Sequence, residues 1–143
     1  VIRGRRQSGV TLIEMIVVMA IVSIVVAITF PSAAAGLDSI RLRAAADSVV
    51  GFLNTALTRT DRRQEPTEII VTPAEGTLAM FTADPKFEKK LKLPDGIKIA
   101  GDRPLRYLLM PGGAPPTLDL DISNPRGAHK IVRIDPVTGV PQS

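Results

Sequence analysis

The chain has no cysteine and no tryptophan, and only one tyrosine and one histidine among its 143 residues. Without cysteine there is no disulfide, no thiolate metal site and no nucleophilic thiol, so the fold must be held by packing. The lone histidine, His129, lies near no recognisable nucleophile motif and reads as a surface residue. An aromatic content of 3% leaves few rings on which bases could stack. Excess charge is scarce as well. The formal net charge is +4, and three of the positive charges are Arg3, Arg5 and Arg6, in a stretch that holds no acid. The rest of the chain is nearly balanced and lacks the basic footprint of a nucleic-acid-binding domain. The sequence also lacks a Gly-rich phosphate loop, a carboxylate dyad and a cluster of metal-ligating residues, which points away from an enzyme and away from any cofactor.

The features that are present begin at once. Residues 10–30 form an apolar run of 21 residues whose only charged side chain is Glu14. At 1.5 Å per residue such a helix reaches about 31 Å, enough to cross a hydrocarbon core of about 30 Å. A carboxylate carried to the bilayer centre costs roughly 2.5–3.5 kcal/mol on insertion scales, so Glu14 needs a partner or a use. Arg3, Arg5 and Arg6 flank the run on its N-terminal side, which keeps that end in the cytoplasm and sends the other end out.

Gly9 followed by Val10-Thr11-Leu12-Ile13-Glu14, with three arginines upstream, a long apolar helix and then Pro31, resembles the processing signal of type IV pilins and type II secretion pseudopilins. The resemblance implies that a prepilin peptidase and methyltransferase cuts between Gly9 and Val10 and methylates the new amine of Val10. It also implies that Glu14 pairs with the N-terminal amine of a neighbouring subunit. The implied partners are other pseudopilins in a filament, the inner-membrane assembly platform and the membrane itself. One departure is Val10, where the family most often has Phe.

Plainer readings of the same residues stand beside it. Glu14 comes three residues after Thr11, the spacing of a capping box that satisfies backbone N–H groups at a helix start. Arg3, Arg5 and Arg6 with Ala33-Ala34-Ala35 resemble the two ends of a secretory signal peptide, although the apolar run exceeds the usual h-region and carries a carboxylate. An uncleaved signal anchor is the third reading.

Pro31 lacks an N–H and disfavours helical geometry before it, so it is expected to kink the helix or mark its exit from the membrane. Beyond it, Leu37, Ile40, Ala44, Val49, Phe52, Leu53, Ala56 and Leu57 recur at helical spacings and predict an amphipathic continuation. The expected organisation is a leader at 1–9, a transmembrane half-helix at 10–30, an amphipathic half at 31–58 and a β domain at 67–143. Six strands are predicted, at 67–72, 77–82, 97–100, 106–110, 117–123 and 130–135, separated by Pro- and Gly-containing turns, with 136–143 fraying. Connections this short favour antiparallel pairing, hence an α+β class, a pilin-like fold with one long helix on a small antiparallel sheet.

Asp119 and Asp121 share one face of a predicted strand, as cation ligands or, by the ordinary pattern of a half-solvated sheet, as partners of Lys130 or Arg133. Lys86, Lys89, Lys90 and Lys92 surround Phe87 in what reads as a solvated loop. That run is the one feature favouring nucleic acid, which is otherwise unlikely as a partner. Leu93-Pro94-Asp95-Gly96-Ile97, residues 106–110 before Pro-Gly-Gly, residues 117–122 and Val137-Thr138-Gly139 resemble the H-type minor pseudopilins and their pilus counterparts. The function this implies is that of a minor pseudopilin, a structural subunit of the periplasmic pseudopilus driving protein export by type II secretion. The alternative is a minor type IV pilin in pilus assembly or DNA uptake; a membrane-anchored periplasmic enzyme has no residue to support it.

Overall fold

The computed structural model describes residues 10–143, and of residues 31–34 it describes the backbone alone. One helix, α1, runs Leu12–Arg63, and after it come eight strands: β1 Thr67–Thr72, β2 Thr77–Thr82, β3 Glu88–Lys92, β4 Lys98–Ile99, β5 Leu105–Leu109, β6 Asp119–Ser123, β7 His129–Ile134 and β8 Pro141–Gln142. The chain divides into two units, one ending at Gly36 and the other Leu37–Ser143. In the first unit the described large apolar side chains of α1 are exposed, as an apolar-all-round helix is outside lipid or a protein core.

The second unit has a core shared by α1 and two antiparallel sheets, ordered β3-β2-β1-β5 and β4-β6-β7-β8. Helix residues Leu42, Ala45, Ala46, Val49, Phe52, Leu53 and Ala56 are buried, spaced by three and four as one face of a helix requires. Strand alternation supplies the other wall. Thr67, Ile69 and Val71 of β1 are buried while their neighbours along the strand are half-exposed, and Leu120 and Ile122 of β6 and Val132 and Ile134 of β7 behave alike. Every pairing is antiparallel, and this α+β arrangement is consistent with a pilin-like fold.

Four expectations need correction. The helix ends at Arg63, five residues beyond 58, because buried Thr60 bonds its hydroxyl back to the Ala56 carbonyl and exposed Asp61, Arg62 and Arg63 are not helix-breaking. Arg62 and Arg63 suit the negative end of the helix dipole, and Gln64 takes the left-handed position at φ 55 before Pro66 stops the helix. The apolar stripe is split: Ile40 precedes Val49 by nine residues, about two and a half turns, so Leu37, Ile40 and Ala44 lie on the face opposite the core and are exposed. Of the lysine run, Lys89, Lys90 and Lys92 lie in a strand, β3, paired along β2 from Phe81↔Glu88 to Thr77↔Lys92, while Lys86 and Phe87 stay in the turn before it. The C-terminus does not fray: β8 pairs with β7 and Pro141 is buried.

Candidate functional site

Thr11 precedes the first helical residue and serves as the cap of α1. Its hydroxyl accepts the backbone N–H of Glu14 at 3.3 Å and its carbonyl accepts that of Met15 at 3.2 Å. One orphan donor of the first turn is thereby satisfied, while the Glu14 side chain remains exposed. Acidic charge in the first turn suits the positive end of the helix dipole.

The remaining polar side chains of residues 10–30 are satisfied within the helix. Ser23 Oγ donates to the Met19 carbonyl at 2.7 Å and Thr29 Oγ1 to the Val25 carbonyl at 2.8 Å. Hydroxyls bonded back four residues carry little cost into an apolar medium. Glu14 differs: its carboxylate has no hydrogen-bond or ion-pair partner among the described residues, and it lies in a sleeve of exposed Leu12, Ile13, Met15 and Ile16. The sequence singled out Glu14 by charge; the structure adds that none of the described residues pairs with it. Val10 is exposed just ahead of the cap, Gly9 lies outside the described residues, and α1 is helical through Pro31.

The other candidates resolve into ordinary sheet contacts. Asp119 stands opposite Arg133, with Oδ1 at 3.8 Å from its Nε, an exposed pair of the kind expected. Asp121 meets His129 Nδ1 at 3.1 Å instead of Lys130, which stands opposite Ile122. Among the described residues no group of three or more His, Cys, Asp or Glu is placed to hold a metal.

Two contacts carry no sequence signal because their partners are far apart in the chain. Arg126, in the β6–β7 turn, places Nε 2.8 Å from Asp38 Oδ2 on α1. Arg59 lays its guanidinium over the Phe87 ring, 3.5 Å from the centroid.

Among the described residues three titrating groups are displaced. Asp135 is held below the usual carboxylate range by the backbone N–H groups of Thr138 and Val137, which bond its Oδ1 at 2.9 and 2.8 Å in the turn before β8. Gly139, at φ 69, closes that turn by donating to the Asp135 carbonyl. Burial, aided by the Asp119 charge, pushes the Tyr107 hydroxyl up. The hydrogen bond and charge of Glu88 raise Lys90.

No curated protein and no solved structure gives a significant match to the chain. Residues 4–30 match the family described as the prokaryotic N-terminal methylation motif, which brings Arg5, Arg6, Gly9, Val10 and Glu14 under one signature. α1 is long and apolar enough, near its N-terminal end, to cross a membrane. The motif is a type IV prepilin-like leader and indicates a type IV pilin-like protein, of a class made of structural subunits, processed by a prepilin peptidase and assembled with other pilin-like subunits.

Proposed function

We propose that the chain is a minor pseudopilin, a structural subunit of the periplasmic pseudopilus that drives protein export by type II secretion. The leader is removed after Gly9 on the cytoplasmic side, the amine of Val10 is methylated, and residues 10–30 hold the subunit in the inner membrane with its second unit in the periplasm. Other pseudopilins and the inner-membrane assembly platform then draw it into a filament. Pro31 lets the helix bend during extraction.

The observation that carries this reading is the Glu14 carboxylate, which has no partner among the described residues, beside self-satisfied Ser23 and Thr29. In an apolar surrounding an unpartnered carboxylate is unfavourable, and the amine of a neighbouring subunit relieves it while fixing the axial register of the two helices. The exposed apolar stripe of Leu37 and Ile40 also calls for cover by other helices.

Glu14→Gln tests the pairing. Gln completes the helix cap equally well but brings no charge. The variant is expected to insert and be cleaved normally and to enter filaments poorly, because the lost attraction is one strengthened by low dielectric. Incorporation and secretion at the unmodified level would reject the intersubunit role and leave Glu14 as a helix-start residue. The pilus reading is separated by function: loss of the gene abolishes export here, and abolishes DNA uptake or pilus assembly there.

A further inference from the structure

β3 is an edge strand. β2 is its neighbour in the sheet, and its outer row of backbone N–H and C=O groups has no strand partner among the described residues. Three of its five side chains, Lys89, Lys90 and Lys92, are cationic. Lys89 and Leu91 stand opposite the buried Met80 and Leu78, which places them on the side of the sheet that faces α1. Lys90 and Lys92 point to the other side.

Beside β3, the contact of Arg59 with Phe87 fastens the last turns of α1 to the residue that precedes the strand, and Arg62 and Arg63 line a groove of the helix together with Arg59. One open groove lies in the seam and a second lies on the helix beside it. One, of about 310 Å³, lies between Ser48, Gly51 and Thr55 of the helix and Lys89, Lys90 and Leu91 of the strand. The other, of about 380 Å³, is lined by helix residues alone; it shares Thr55 with the first and runs past Arg59, Arg62 and Arg63. Among the described residues only Lys90 of these cations has an ion pair, with Glu88 at 2.7 Å, and the buried Nε of Arg59 has no acceptor.

We propose that this seam binds an extended acidic segment of a partner polypeptide, which adds to β3 as a further strand and sets its carboxylates against Lys89, Arg59 and Arg62. Three observations choose this occupant. Unpaired strand backbone is satisfied by another polypeptide backbone and not by a phosphodiester chain. The ring at the seam, Phe87, is already covered by Arg59, so it offers no platform for a base. A second copy of β3 would set lysine against lysine, which opposes pairing; the lysines that guard the edge against self-association select an acidic strand. The five residues of β3 span about 17 Å, so the bound segment is about five residues long.

The test titrates the full chain, in neutral detergent at physiological salt, into a fluorescent peptide that alternates glutamate with valine, read by anisotropy. A peptide of the same sequence with alternate backbone nitrogens methylated keeps the charge and blocks strand addition. A thymidine oligonucleotide of similar charge tests the nucleic-acid alternative. The acidic peptide is expected to bind about tenfold or more tighter than either control, and Lys89→Glu with Arg62→Glu is expected to weaken it by about tenfold or more with the circular dichroism unchanged. Absence of peptide binding, equal binding of the methylated peptide, tighter binding of the oligonucleotide, or indifference to the charge reversals would each overturn the proposal.

Discussion

Leu53 and Ile40 lie on opposite faces of α1, and exchanging each for alanine separates what the helix does for its own unit from what it offers to others. Leu53 has no exposed surface and sits in the core shared with both sheets, whereas Ile40 is 65% exposed. Leu→Ala in a closed core costs about 2–5 kcal/mol, the larger values arising where the surroundings cannot collapse into the space. With walls on three sides, Leu53→Ala belongs in the upper part of that range, about 3–4 kcal/mol. For a unit of about a hundred residues this lowers the melting temperature by roughly 12–20 °C. Ile40→Ala removes a solvent-facing side chain and shifts stability by less than about 0.5 kcal/mol. Thermal melting followed by circular dichroism measures both, and co-isolation with filament subunits measures assembly. The expected pattern is an unstable Leu53→Ala and a stable Ile40→Ala that nevertheless assembles poorly. Equal melting temperatures for the two variants would refute the phasing of the helix, and normal assembly of Ile40→Ala would refute the outer stripe as an interface.

The turn before β8 gives a pH dependence. Because Asp135 binds its proton less readily when folded, its contribution is complete above the ordinary carboxylate pKa of about 3.9 and is lost as pH falls through the lower folded value. Urea midpoints measured down that range should fall more steeply for the unmodified chain than for Asp135→Asn, and parallel slopes would contradict the assignment. Arg126→Ala breaks a partly exposed pair with Asp38 and should cost no more than about 1 kcal/mol, read as a shift of a few degrees in melting; a shift as large as that of Leu53→Ala would mean the turn is a structural keystone.

The sequence was most legible where local pattern and long-range packing ask for the same thing. Thr67–Thr72 and Thr77–Thr82 have the bounds read from sequence because buried and solvent-facing positions alternate and Pro73 to Gly76 supplies a turn between them. The cap at Thr11 and Glu14 was legible for the same reason, being a contact over three residues. β3 was hidden because an edge strand needs little burial, and Glu-Lys-Lys-Leu-Lys reads as loop until β2 pairs with it. β8 was hidden because its two residues are ordered by the Asp135 turn and by β7, neither visible in Pro141 and Gln142 alone. The helix face was misplaced because apolar residues occur on both sides between 37 and 46, and only the sheet decides which side is buried. The partner proposed for Glu14 is the amine of another subunit, so one chain's sequence can suggest the need for it but not its geometry.

The most direct test is the intact mass of the chain isolated from membranes of cells that express the whole processing and secretion apparatus. The account predicts a mature chain that begins at Val10 and carries one additional methyl group on its amine. A chain that retains residues 1–9, or one cut after Ala35, would contradict it, the first as an uncleaved anchor and the second as an ordinary secreted protein.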